Sequence, residues 1–184
     1  GFSLAKYKFK GRNVLYAFVL ATMMIPTQVG LIGYVLEMKS LNLVNTLWPL
    51  IFTFTASPFA AFFMTQFIKS SVPDEIIESA RIDGCSEPSI FFKIVVPLIK
   101  PGTGTIGILV FLWSWNNYLL PLVSVSDNTK YTIPLLISTL GSEFTTDFAA
   151  QMTAVGFAIV PVVILFIMGS KTFIEGLTAG AVKG

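Results

Sequence analysis

The sequence predicts an all-α, polytopic transmembrane helical bundle, and three observations carry that expectation. Hydrophobic residues make up 54% of the 184 and charged residues only 12%, about half the charged share usual in a soluble domain. The charges are also unevenly placed. No Asp, Glu, Lys or Arg occurs from Asn13 to Leu36, Ser40 to Ile68, Pro101 to Ser126, or Phe148 to Ser170. Each run is as long as the roughly 20 residues that cross a bilayer's hydrocarbon core. Finally, the basic residues fall almost wholly on one side of the topology these runs define.

The runs place four spans at about Asn13–Leu36, Leu47–Ile68, Thr103–Val123 and Ala149–Ser170. Successive connections must then lie on alternate sides of the membrane. Lys6, Lys8, Lys10, Arg12, Lys69, Arg81, Lys93, Lys100, Lys171 and Lys183 share one side, against Lys39 and Lys130 on the other. The basic side is therefore expected to be cytoplasmic, C-terminus included. The outer connections are a short one, Glu37–Thr46, and a longer one, Ser124–Phe148. The longer one carries Asp127, Glu143 and Asp147 and an apolar piece, Tyr131–Leu140, that could lie along the interface.

Pro26, Pro58 and Pro161 interrupt the first, second and fourth spans. Each removes a helical hydrogen bond and bends the axis, and in a membrane the freed carbonyl needs a partner. Thr27, Gln28 and Ser57 are placed to supply one. The bends are either ordinary kinks of a bundle or the lining of a water-filled path.

The connection 69–102 is too long and too patterned for a simple turn. Pro73 suits a first helical position, and Asp74 and Glu75 complement the dipole of a helix start. Ile76, Ile77 and Ala80 recur at the spacing of one face, while Glu78 and Arg81 are in register to pair. Gly84 suits the left-handed residue that closes a helix. Ser86 could cap a second short helix running through Phe91, Phe92, Ile94 and Val95, and Pro97 is expected to end it. Such a rigid helix–turn–helix either joins two spans or docks in a partner's groove.

Trp115, Asn116, Asn117 and Tyr118 form a polar-aromatic cluster within the third span. Two carboxamides in hydrocarbon need hydrogen-bond partners. They are interhelical glue, part of an outer-interface aromatic belt, or a sugar-facing site, since carboxamides pair with hydroxyls and aromatic faces stack on sugar rings. Neighbours on a helix point about 100° apart, so Asn116 and Asn117 cannot both face the same way.

Other chemistries find little support. Histidine is absent and Cys85 is alone, which removes the commonest general base and metal ligands. The net charge of +2, without basic clusters interleaved with aromatics, gives no reason to expect nucleic acid. Gly102-Thr103-Gly104-Thr105-Ile106-Gly107 spells a dinucleotide fingerprint, but that motif needs a preceding strand and a soluble βαβ unit. Small residues there more readily let two helices approach closely. No Walker-type phosphate loop occurs, so ATP binding by that device is not expected. No ionisable residue lies within a span, as a coupled carrier or an intramembrane enzyme would favour. Neither a metal nor a cofactor is expected.

Glu78-Ser79-Ala80, Gly84, Ile94 and Val96-Pro97 resemble the EAA loop of ABC importer permeases. The family pattern is Glu-Ala-Ala, three residues, Gly, nine residues, Ile, one residue, Leu-Pro. The spacing is kept throughout, with Ser79 and Val96 standing for the usual Ala and Leu. The likeness extends over Lys8–Arg12, Leu41–Thr46, Ala80–Gly84, Trp115–Tyr118 and Gly176–Gly184. It is greatest to the carbohydrate branch, and within it to the second permease of maltose-type systems. That resemblance implies a transport subunit, not an enzyme, in a bacterial or archaeal cytoplasmic membrane. Its implied partners are separate ABC ATPase subunits, a second homologous permease, an extracytoplasmic solute-binding protein, a sugar or oligosaccharide, and membrane lipid. It also implies one permease domain over residues 1–184, from which the first of six spans and most of the second are missing. Glu78, Ala80, Asp83 and Gly84 would contact the ATPase, and Asn116, Asn117 and Tyr118 would line the substrate path.

Overall fold

In the computed structural model, which describes residues 1–141 and 147–181, every element among the described residues is helical. Glu143 and the tail Val182–Gly184, Lys183 included, lie outside the described residues. The helices are α1 (Phe2–Lys6), α2 (Arg12–Met23), α3 (Leu31–Ser40), α4 (Trp48–Thr55), α5 (Pro58–Ser71), α6 (Asp74–Ile82) and α7 (Glu87–Ile90). A π-turn at Phe91–Val95 follows, then α8 (Val96–Leu98), α9 (Lys100–Trp115), α10 (Leu119–Ser124), α11 (Ile133–Thr139) and α12 (Phe148–Ala181). Trp48–Ser71 and Phe148–Gly176 are each long and apolar enough to cross a membrane. Glu87–Leu98 with Lys100–Trp115 forms a further candidate, bent by 72°.

The expected uniform spans are broken more often than the apolar runs suggest. The first gives way between Met23 and Leu31, around Pro26. Thr27 does not serve a freed carbonyl there; its hydroxyl donates to the Gln28 carboxamide (3.4 Å). The second breaks at Ala56–Ser57, and Pro58 opens α5, where a missing N–H costs no helical bond. Pro161, by contrast, lies inside a continuous α12. The third run stops at Trp115 and resumes at Leu119.

The chain forms two compact units. The first comprises Gly1–Met24, Pro58–Ile108 and the chain from Gly169 onward. Its core is Phe67, Ile68 and Val72 of and just beyond α5, Ile77 and Ala80 of α6, and Ile90, Val95 and Ile99. Phe2, Ala5, Phe63, Met64, Phe91 and Ile94 pack around it. Within this unit the small residues of α9 meet the last helix closely: a side chain at Gly104 would collide with the Thr172 methyl. The buried Thr105 hydroxyl lies within hydrogen-bonding distance of the Pro101 (3.0 Å) and Thr172 (3.2 Å) carbonyls.

The second unit comprises Ile25–Ser57 and Leu109–Met168. Met38, Pro49, Leu120, Pro121, Val125 and Leu135 are buried in it, with α10 packed on α3 and α4. Many large apolar side chains of α12 stay exposed, among them Phe157, Phe166, Ile167 and Met168. Helices that are apolar and outward-facing suit a lipid surround.

Candidate functional site

The loop 69–102 is a helix–turn–helix as its spacing predicts. Pro73 takes the N-cap position with extended backbone, one residue before the expected start, so that Asp74 and Glu75 occupy the first turn of α6. Ile77 and Ala80 face inward, 2% and 6% exposed. Ile76, expected on that face, is 40% exposed, because i, i+3 spacing aligns Ile77 with Ala80 and turns Ile76 about 100° away.

The helix closes at Asp83 and Gly84. Gly84 has φ +78°, its N–H donates to the Arg81 carbonyl (3.0 Å), and Cys85 N–H donates to the Ala80 carbonyl (3.0 Å). These two bonds are the Schellman pair, which satisfies the orphan carbonyls of a helix end and requires the left-handed residue that glycine supplies.

Arg81 does not pair with Glu78. It forms a two-pronged contact with Glu87 across the turn, Nε to Oε1 at 2.6 Å and Nη2 to Oε2 at 3.3 Å. The two contacts give the fork-to-carboxylate geometry in which Arg pairs are strongest. Hydrogen bonding from Arg81, and then from Tyr7, holds the Glu87 carboxyl below its ordinary range. Ser86 stands at the N-cap of α7 with extended backbone, but its side chain makes no cap. Pro97 does not end the second helix. The wide π-turn carries the chain through to Leu98, and the bend falls at Ile99; a π-turn relaxes the one-bond-per-residue ladder that a proline would otherwise break.

Glu78, Asp83 and Gly84 are therefore on the exposed side of this element. Ala80 belongs to the core, at the floor of a shallow groove it shares with Glu75, Ile76, Ser79, Asp83 and Ile94. Its small size admits the chain's own packing first. Ile82 (86% exposed) and Phe92 (68%) add apolar surface to the same element.

The second candidate cluster lies at a helix break, between α9 and α10. Asn116 Nδ2 donates to the Leu112 carbonyl (2.8 Å), and Asn117 Oδ1 accepts from the Leu120 N–H (3.3 Å), opening α10. The Leu112 carbonyl also accepts the Asn116 N–H (3.1 Å), so the regular ladder runs to Asn116 and gives way at Asn117, whose N–H donates to the Ser114 carbonyl three residues back (3.2 Å). Trp115 Nε1 donates to the Ala158 carbonyl (3.1 Å). Asn116 is exposed, and Asn117 and Tyr118 are half-buried. The bonds described use one donor of Asn116 and one acceptor of Asn117, and a carboxamide has more of both to offer a hydroxyl-rich ligand.

Two features were not foreseen from the residues. Asn45, at φ +61°, accepts on Oδ1 from the N–H groups of Ser126 (3.0 Å) and Asp127 (2.8 Å). Its own N–H donates to Ser124 O (2.7 Å), and its carbonyl accepts from Lys130 Nζ (3.0 Å). Lys6 and Tyr7 reach α6 and α7, far along the chain. The one available signal was at Asn45, since asparagine tolerates the left-handed region better than most residues.

An all-α chain with exposed apolar helices and a stiff polar loop between two of them defines a helical membrane protein. The family model for the binding-protein-dependent transport system inner membrane component matches residues 1–180, and the chain belongs to that family. It is 40% identical over 184 residues to the arabinooligosaccharides transport system permease protein AraQ of Bacillus subtilis (strain 168), covering all of this chain and 65% of that protein. It is 34% identical to the melibiose/raffinose/stachyose import permease protein MelC of the same organism, covering 67% of it. It is 31% identical to the diacetylchitobiose uptake system permease protein DasC of Streptomyces coelicolor, covering 67%. The chain thus spans about two thirds of the length of these relatives. The fold matches a crystal structure of a bacterial ABC transporter involved in the import of the acidic polysaccharide alginate. The TM-score is 0.79 at 24% identity, over 94% of this chain and 65% of that one.

Proposed function

We propose that this chain forms half of the translocation path of an ATP-driven importer for a sugar or oligosaccharide, and that α6 and its turn couple it to a separate ATPase. Four spans, a cytoplasmic C-terminus and a bacterial or archaeal cytoplasmic membrane complete the reading. A second permease pairs with it, and an extracytoplasmic binding protein delivers the solute. The relatives named for arabinooligosaccharides, for melibiose, raffinose and stachyose, and for diacetylchitobiose support the cargo class.

The observation that carries the coupling role is the build of α6. Its inner face is locked into a core, its end is closed by a Schellman turn, and Glu78, Asp83, Gly84, Ile82 and Cys85 are left exposed. A rigid helix with charged and apolar surface can seat in a groove and transmit its displacement. The test is co-purification of the ATPase, ATP hydrolysis and sugar uptake with Gly84→Asp and Glu78→Lys in reconstituted vesicles. Weakened docking or uncoupled hydrolysis is expected, and normal values in both variants overturn the reading. For the path, Asn116→Ala or Asn117→Ala, but not both, is expected to alter uptake of the preferred sugar with assembly intact.

A further inference from the structure

The ends of α6 are held by two adjacent residues from far away in the chain. At its start, Lys6 Nζ pairs with Asp74 Oδ1 (2.6 Å) and donates to the Val72 carbonyl. The Lys6 side chain is 6% exposed, whereas Asp74 is 71% exposed. At its far end, the Tyr7 hydroxyl donates to Glu87 Oε2, on the carboxylate that Arg81 also binds. The Arg81 guanidinium also lies over the Tyr7 ring, 5.8 Å from its centroid.

The segment that carries these two residues is itself anchored. Phe2 packs edge-on against Tyr7 (5.2 Å between centroids) and tilted against Phe91 (5.3 Å). The Arg12 Nε donates to the Leu4 carbonyl (2.9 Å). We infer that Lys6 and Tyr7 are positioning residues of the coupling element: they clasp α6 at both ends, so that any displacement of the Phe2–Tyr7 segment moves the exposed face of α6 as one body. This inference rests on the coupling reading above.

The two partners of the first clasp are not equivalent. A nearly buried ammonium needs its acceptors, while an exposed carboxylate can turn to water. Asp74→Ala, which strands Lys6, therefore disturbs α6 more than Lys6→Met does, and Lys6→Arg retains the clasp. At the second clasp Tyr7→Phe keeps the ring under Arg81 and removes only the hydroxyl.

The experiment uses the assembled transporter in vesicles, with a spin label on Cys85 just after the turn. Two quantities are read, the label's mobility and the ATP hydrolysed per sugar imported. Asp74→Ala, Lys6→Met and Tyr7→Phe are expected to raise both, by about two- to fivefold, the span for polar contacts whose carboxylates, here Asp74 and Glu87, are solvent-exposed. Lys6→Arg stays at the wild-type ratio, and Lys6→Met with Asp74→Ala together is no worse than Asp74→Ala alone, as for one shared interaction. Unchanged mobility and ratio in all three single variants overturn the clasp. Raised mobility at an unchanged ratio overturns its positioning role. Gly84→Asp is run alongside: if it uncouples while the clasp variants do not, this inference alone falls, and if it too is coupled, the coupling reading falls first.

Discussion

Residues 74–98 of the first unit fold over a buried apolar core, whereas residues 41–46 and 124–130 of the second are drawn together largely by one asparagine, through its side chain and backbone. Around α6, Ile77, Ala80, Ile90 and Val95 are all but inaccessible, and the polar contacts of Lys6, Tyr7, Arg81 and Glu87 lie at the margin. Around Asn45 the order is reversed. Two backbone N–H groups, a lysine and a carbonyl meet on a single left-handed asparagine, and apolar burial is confined to Val125 and the helices behind it. A core resists displacement as a body, because many contacts must break together. A hub of hydrogen bonds can be undone at one residue. The difference suits the coupling role proposed for α6 in the first unit.

The largest expected effect lies in the core. Ile90 is fully buried, so Ile90→Ala should cost about 2–5 kcal/mol by lost transfer energy and a residual cavity. Thermal unfolding of the detergent-solubilised protein measures it, and a loss below the cost of one methylene denies that the α6–α7 element rests on a core. The next effect falls on Asn45. Asn45→Gly keeps the left-handed backbone but leaves Ser126 and Asp127 N–H groups without their acceptor, and Asn45→Ala loses both. The alanine variant should exceed the glycine one by roughly 1 kcal/mol, the cost of a side chain in the left-handed region. Proteolysis rates within 124–130 give the ranking, and equal rates for the two variants remove the backbone half of the explanation.

Local rules made much of the first unit legible. Asp74 and Glu75 at a helix start, and a glycine ten residues after Asp74, announced α6 and its closure, because caps and left-handed turns are decided by neighbours in sequence. Membership of a permease family was legible from the spacing that runs from Glu78 to Pro97. Three things were hidden. An apolar run without charges reads as one helix, yet the ladder gives way at Asn117, whose side chain accepts from the Leu120 N–H at the start of the next helix. Arg81 chose Glu87 over Glu78, a choice that depends on how the chain turns at Gly84. Lys6 and Asp74 stand 68 residues apart, a separation over which no periodicity speaks.

A smaller effect sharpens the comparison at the turn itself. A Cβ on Gly84 would meet nothing within 4 Å, so Gly84→Ala pays only for the φ of +78°, about 1 kcal/mol. Gly84→Asn should pay less, since asparagine enters this region more readily. Hydrogen exchange at the Gly84 and Cys85 amides, which close the Schellman pair, follows the order glycine, asparagine, alanine. An alanine variant as protected as wild type would show that the turn is dictated from the core instead.

The smallest effect, and the one that separates the two regions by pH, belongs to Asp127. Its carboxylate accepts from the Thr129 hydroxyl (2.7 Å) and N–H (3.0 Å) and pairs with Lys130 (3.0 Å). Hydrogen bonding from Thr129, then from Lys130, lowers its pKa from 3.8 to about 2. A carboxyl that is more acidic in the folded chain than in the unfolded one stabilises above the unfolded value and loses that contribution as pH falls through the folded one. The window is therefore about pH 4 down to 2, and nothing should change between pH 5 and 8. Lys130 also donates to the Asn45 carbonyl, so protonating Asp127 frees one partner of the hub and leaves the carboxamide contacts in place. The carboxylate is exposed and solvent screens it, which keeps the effect small. Proteolysis at 124–130 should quicken on acidification below pH 4 in the wild type, stay flat in Asp127→Asn, and be flat in both at neutral pH. A pH response in Asp127→Asn equal to that of wild type would assign the change to other carboxylates, and would leave Asn45 alone as the residue that holds this connection.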